Sequence, residues 1–391
     1  MKKGYNIQYL LALMFTLALV GCSNDDFLTT QSDETNVVSF SIGTSMEEVV
    51  SKASTDYRAW KTGDPTSFGA FGMYNMDITS ASQDKLFGNQ EVTRSGSAWT
   101  YTPPKYWADF SWCDTFDFFG YMPYKDGATL EQGTGDDQYK YTLSFPASLP
   151  NSVLADVVNV PLICNEPVRK DKIGEKINFK MDQVLAGFNI TFQLDDKMAA
   201  LRDFVITQVE ITGAAESLPV SGNVSRTYTY TPATRKWSAG DIVWSGIGTN
   251  AEAVDYVVPF VDHGKGTASD AYEVTDETHG TLRIGHSFPG AKSQWGADFF
   301  AIPSANFQPT IKVTYYVDDP KNLINPEPGD TDPITTRESL TAEIQLSTSF
   351  FENYSQGVTG QKNGINVFIK PAYLYVLSDY DQWIKHIVVQ D

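Results

Sequence analysis

Tyr139-Lys140-Tyr141-Thr142-Leu143-Ser144-Phe145 alternates aromatic or aliphatic residues with polar ones without a break. In a strand, successive side chains point to opposite faces, so this stretch sets an apolar face on a core and a polar face in water. The same period recurs on both sides of it. Upstream lie Val38-Ser-Phe40-Ser-Ile42, Phe68 to Tyr74 and Phe116 to Tyr121. Downstream come Ile177-Phe179-Met181, Phe188-Ile190-Phe192-Leu194, Phe204-Ile206, Val209-Ile211, Tyr228-Tyr230 and Tyr256-Val258-Phe260. Phe299-Ala301, Ile311-Val313-Tyr315-Val317, Ala342-Ile344-Leu346 and Ile365-Val367-Ile369 complete the series. Asp182 to Gly187 reads as one helical turn closed by Gly, and the Pro-rich run 318–330 reads as a surface loop. Many strands separated by turn residues predict an all-β chain built from two sandwiches in tandem. The charged, Ala-rich stretch 195–202 places the boundary, giving domains at 37–197 and 198–391.

Before the first strand the chain has a different character. Lys2 and Lys3 precede an apolar run, Tyr9 to Val20, that stops at Gly21-Cys22. The run is too short for a hydrocarbon core of roughly 30 Å, which needs about 20 apolar residues, so residues 1–21 read as an export leader. Leu19-Val20-Gly21-Cys22 resembles the lipobox of bacterial lipoproteins. That resemblance implies cleavage between Gly21 and Cys22 and acyl chains on Cys22, each buried CH₂ adding about 0.8 kcal/mol of anchoring. Ser23-Asn24-Asp25-Asp26 resembles the acidic stretch that sends Bacteroidetes lipoproteins to the outer face of the outer membrane. Residues 22–36 then form a flexible tether. The net charge is −19, and the leader's two lysines add to neither domain. An acidic surface of this size repels phosphate backbones, so nucleic acid is excluded as a partner. With Cys22 lipidated, Cys113 and Cys164 remain. Their apolar neighbours fit two buried thiols, and an oxidising compartment also permits a disulfide between them.

Several motifs along the mature chain resemble the Bacteroidetes fimbrillin superfamily, pilin-like lipoproteins that include major and minor fimbrial subunits and their anchors. Lys52-Ala-Ser-Thr follows the first strand, and Trp60-x-x-Gly63-Asp64 opens the next. Tyr106-Trp107 and Phe118-Phe119-Gly120-Tyr121-Met122-Pro123-Tyr124 are similar to Tyr-Trp and Phe-Phe-Ala-Tyr-Tyr-Pro segments of that family. Asp156-Val157-Val158, Ile177-Asn-Phe179-Lys, Ala301-Ile302-Pro303 and the late Trp383 follow in the family's order. Met181 and Asp182 stand where a His is usual, and the Pro303 turn lacks the family's Gln. The resemblance implies two transthyretin-like Greek-key β-sandwich domains and a structural subunit of a cell-surface fimbria that supports adhesion. It further implies proteolytic removal of the first strand and its replacement by a strand from another subunit. The cut would follow Lys52 or, as second choice, Arg58. The donor would lie in Tyr373-Tyr375-Leu377 or in Ile387-Val388-Val389. The implied partners are other fimbrial subunits, the outer membrane through the lipid anchor, and receptors on host or bacterial surfaces.

Catalytic signatures are missing from the sequence. It contains no Gly-x-Ser-x-Gly elbow, no Walker loop and no His-Glu-x-x-His. His279 and His286 lie near Asp276 and Glu277, but such residues in loops are solvated more often than metal-bound. The expectation is a non-enzymatic protein with no metal and no cofactor. A surface lipoprotein that captures glycans is the alternative, and an exposed aromatic platform would distinguish it.

Overall fold

The computed structural model describes residues 37–44, 58–59, 64–74, 84–151, 153–154, 160–170, 174–194, 199, 203–214, 217–249, 254–262, 272–274, 280–285, 292–304, 307–318, 339–346, 362–370, 373–380 and 383–388. These residues form strands, labelled β1–β26 in chain order, joined by turns and by short 3-10 turns at Trp107–Phe110 and Gly135–Asp137. The chain is all-β, as its alternation predicts.

The first half is organised by β6 (Phe116–Met122), in which every residue is buried. Phe-Asp-Phe-Phe-Gly-Tyr-Met offers no polar face, so both faces of this strand need cover. It lies within a nine-stranded sheet. The order is β2 (Arg58–Ala59), β1 (Phe40–Thr44), β12 (Ile177–Gln183), β10 (Leu162–Cys164), β6, β3 (Ser67–Tyr74), β4 (Asp84–Ser95) and β5 (Ala98–Thr100), with β11 (Val168–Lys170) also on β6. One face meets a four-stranded sheet of β16 (Lys236–Thr249), β15 (Pro219–Thr231), β8 (Lys140–Ser148) and β7 (Thr129–Gln132). There the Phe119 ring packs 5.5 Å from Tyr228 and 5.3 Å from Trp237, and Tyr121 stacks on Phe145 at 4.6 Å. Gly69 on β3 leaves room for the Tyr121 ring, which a Cβ at that position would strike. The opposite face carries Phe116 and Phe118 against Trp107, at 5.1 and 6.2 Å. In β8 the residues Tyr141, Leu143, Phe145 and Ala147 are buried while Lys140, Pro146 and Ser148 are exposed. Tyr139 precedes the strand and is half-buried.

The second core lies between two further sheets. A seven-stranded sheet runs β18 (Phe260–Asp262), β21 (Lys292–Ala301), β13 (Ala186–Leu194), β24 (Lys362–Lys370), β25 (Tyr373–Tyr380) and β26 (Trp383–Val388), with β9 (Val153–Leu154) on β21. A six-stranded sheet runs β19 (Tyr272–Val274), β20 (Gly280–Gly285), β14 (Asp203–Gly213), β22 (Thr310–Asp318) and β23 (Leu340–Gln345), with β17 (Val254–Val257) on β14. Phe188, Ile190 and Phe192 from the first meet Ile206, Ile311 and Val313 from the second in one apolar cluster.

Two details differ from the pattern-based expectations. Asp182 to Gly187 is not a helical turn. Asp182 and Gln183 end β12, and Ala186 and Gly187 begin β13. Strand partners on both sides, Ile163 for Asp182 and Phe300 for Gly187, override the local helical signal. The two cores also interleave in sequence around the boundary placed at 197/198. Residues 186–194 lie in the second, and the hairpin 219–249 lies in the first.

Buried Asp117 is paired both within its own sheet and across to the facing one. Asp117, fully buried, accepts from Trp237 Nε1 at 2.6 Å and from Arg169 at 3.0 Å. The guanidinium of Arg169 lies 5.0 Å from the Tyr230 ring centre. Cys113 and Cys164 are both free and buried. Burial pushes the Cys164 thiol up to about 11, and the Tyr228 hydroxyl donates to the Cys164 carbonyl at 2.6 Å. Asp117→Ala strands Arg169 without its carboxylate and is expected to lower the urea-unfolding free energy by about 3–5 kcal/mol. Asp117→Asn, which keeps an acceptor for the indole, should lose less. A second expectation concerns the thiols. Since thiolate is the reactive form, Cys164 should resist iodoacetamide at about pH 8 in the native protein and react fully in concentrated guanidinium chloride. Native labelling of Cys164, read by peptide mass spectrometry, would contradict this environment.

Candidate functional site: the seat of the first strand

The first strand occupies a place unlike that of most others in its sheet. β1 runs parallel to β12, with Phe40 opposite Ile177 and Thr44 opposite Met181. On its other edge only Gly43 and Thr44 pair, with Ala59 and Arg58 of β2. Just before the strand, Val37 bridges Tyr106 and Val38 N donates to Lys105 O at 2.9 Å. The Ser41 hydroxyl also donates to Asn178 Oδ1, and the backbone pairing with β12 extends to Ile177 N donating to Ser39 O at 2.8 Å. Among the described residues the backbone from Phe40 to Ile42 therefore has a ladder partner on one side only.

Apolar contact holds the strand far more extensively than its hydrogen bonds do. Val38, Phe40 and Ile42 are buried, while the intervening Ser39 and Ser41 are half-buried, which realises the alternation read from sequence. The Phe40 ring stacks on Phe179 at 6.0 Å and meets Phe68 at 5.5 Å, Phe87 at 5.6 Å, Tyr101 at 5.7 Å and Phe118 at 6.4 Å. These five rings come from four strands and from the turn that follows β5. Burial pushes the Tyr101 phenol up to about 12, so at neutral pH it stays protonated and donates to the Val38 carbonyl at 2.9 Å. Full burial of each of the three apolar side chains contributes about 1.5–3 kcal/mol. Without β1, the seat would be an apolar slot lined by Phe68, Phe87, Phe118 and Phe179, with the unpaired edge of β12 as its floor.

The residues expected to take part in cutting and donation are only partly described. Gly21, Cys22, Lys52 and Val389 lie outside the described residues. Arg58 does not lie in an irregular loop, since its backbone is in β2 opposite Thr44. Tyr373, Tyr375 and Leu377 belong to β25, between β24 and β26. Ile387 and Val388 belong to β26, opposite Val376 and Tyr375. β26 is the terminal strand of its sheet and pairs on one side only among the described residues. The alternation marks the seated strand and the strands that carry Phe68, Phe118 and Phe179, but not Phe87 or Tyr101. Phe87 and Tyr101 sit in stretches with no strong alternation to single them out.

The expected mark of a glycan-binding surface is an exposed aromatic platform. Trp112 is 61% exposed, the most exposed large apolar side chain among the described residues. It meets Tyr74 edge-on, with 87° between the ring planes, so the pair presents no flat surface. His279, Asp276 and Glu277 lie outside the described residues. No group of three or more metal-ligating side chains occurs among the described residues.

No protein-family model matches the chain, and no curated protein matches it. Among solved structures the chain is similar to a fimbrial protein from Bacteroides vulgatus, at 14% identity over 90% of this chain and 99% of that one, with a TM-score of 0.44. It is similar also to a fimbrial assembly protein from Parabacteroides distasonis, at 9% identity over 90% of this chain and 99% of the other, with a TM-score of 0.32. The solved structures it is similar to are named fimbrial proteins, putative cell adhesion proteins and putative adhesins of Bacteroides and Parabacteroides.

Proposed function

We propose that this chain is a structural subunit of a cell-surface fimbria that supports adhesion and joins its neighbours by exchange of strands. The observation that supports this most directly is the seat of β1, in which an apolar knob series fills an aromatic slot while the strand has a ladder on one edge. A segment held in this way can be replaced by another extended segment with the same alternation, since the backbone bonds are generic and the pockets read only side chains at every second position. The export leader and lipobox at Cys22 would deliver the subunit to the outer membrane as a lipoprotein. Proteolysis between β1 and β2 would then free the first strand. The incoming strand would come from the C-terminal segment, where β25 and β26 close the second sheet and β26 pairs on one side only among the described residues. On this reading the protein is not an enzyme and takes no cofactor, and its partners are other subunits, the membrane and surface receptors.

Limited proteolysis checks this reading. Trace trypsin should cut first after Lys52, and later or not at all after Arg58, whose backbone is engaged in β2. Once cut, the protein should shed the segment before Lys52 and form SDS-resistant ladders on gels. A cut protein that sheds its first strand and stays monomeric would refute strand exchange. The seat itself is checked by Phe40→Ala, which empties the aromatic slot. The uncut variant should lose about 3–5 kcal/mol of stability in urea. After the cut it should shed its first strand faster than the wild type, as followed by size exclusion and mass spectrometry.

A further inference from the structure

The two cores are joined by more than a connecting loop. Leu218, at the root of the β15–β16 hairpin, is buried in the second core, and Gln308 N donates to the neighbouring Ser217 O at 3.2 Å. A few residues on, the hairpin belongs to the first core. β15 pairs with β8 from Ser221 to Thr229, and Val224, Tyr228, Tyr230, Trp237 and Ile242 join the first apolar cluster. Polar ties then cross to the nine-stranded sheet and its continuation. Arg226 donates to Asp182 Oδ2 at 2.7 Å, Trp237 Nε1 to Asp117 at 2.6 Å, and Trp244 Nε1 to Val184 O at 2.8 Å.

Strand β21 makes the opposite connection. Phe299 and Ala301 lie in the second core, whereas Phe300 and Ile302, the alternate positions of the same segment, lie in the first. Its end also pairs with β9 from the first half, Phe300 opposite Leu154 and Ala301 opposite Val153. The β12–β13 junction repeats the pattern, with Val184 and Leu185 in the first core and Ala186 and Phe188 in the second.

We infer that the two sandwiches open and close as one cooperative unit, coupled through β21, the β12–β13 junction and the β15–β16 hairpin. The first core lacks half of its second sheet, β15 and β16, unless the hairpin is in place, and the root of that hairpin is Leu218 in the second core. Opening the second core releases Leu218 and the inner face of β21, and so withdraws Phe300, Ile302 and the hairpin from the first. This coupling is independent of strand exchange and holds for the full chain whether or not the first strand is ever removed.

Hydrogen exchange of the full-length protein at increasing urea, read by mass spectrometry, tests the coupling. Peptides from β6 and β8 report the first core, and peptides from β13 and β22 the second. In the wild type all four should share one midpoint. Phe299→Leu perturbs a side chain of the second core alone and should lower the midpoint of all four by the same amount. Ile311→Val, a milder change on β22, should do the same to a smaller extent and carries the test if the first variant does not fold. Midpoints that fall for β13 and β22 while those of β6 and β8 stay at the wild-type value would overturn the inference.

Discussion

A strand that is apolar on both faces must be covered on both, and β6 imposes that demand on the first half of the molecule. Phe119 and Tyr121 require a layer on one side, and Phe116 and Phe118 require one on the other. The local chain provides for the second need. β4, β5 and the segment through Trp107 supply Phe87, Trp99, Tyr101 and Trp107 to that side. For the other side it provides only β7 and β8. The missing half of that layer comes from residues 219–249, far along the chain. The interleaving of the two cores follows from an apolar surface larger than its own neighbourhood can bury.

The same demand explains why the first strand is held by side chains more than by backbone. Phe40 plugs the aromatic layer between Phe68, Phe118 and Phe179, so the sheet gains most of its benefit from β1 through three alternating positions. Among the described residues its other edge is largely unpaired, an arrangement that natural proteins ordinarily blunt or cover. Here short β2 covers only Gly43 and Thr44.

Alternation made the strands legible from sequence, and β8 and β13 follow it closely, with Tyr139 falling just outside its strand. Period two shows which side of a strand is apolar but not which layer that side meets. Nothing in Tyr228-Thr-Tyr230 distinguishes packing on Phe119 from packing on Ile311, so the membership of the hairpin in the first core was hidden. The misread turn at Asp182 has a related cause. Asp, Ala and Gly in close succession favour a turn locally, yet Val184 and Leu185 are both fully buried where the chain passes between sheets. Tertiary pairing outweighed propensity there. The seat was half legible: Val38, Phe40 and Ile42 announced a strand, but Tyr101 and Phe87 become part of its pocket only when distant segments fold over it.

The second sandwich contains a counterpart to β1. β13 also runs parallel to a later strand, β24, and these two are the parallel pairings among the described residues. Yet β13 is laddered on both edges, to β24 from Gly187 to Leu194 and to β21 from Ala186 to Gln193. Extracting it would break two ladders and open a core that includes Phe188, Ile190 and Phe192. β13 also continues directly from β12, so it has no free end to withdraw. Among the described residues β1 has one full ladder, to β12, and a two-residue pairing with β2. With the same parallel geometry in both sandwiches, β13 is held on both edges by long ladders and β1 mainly on one.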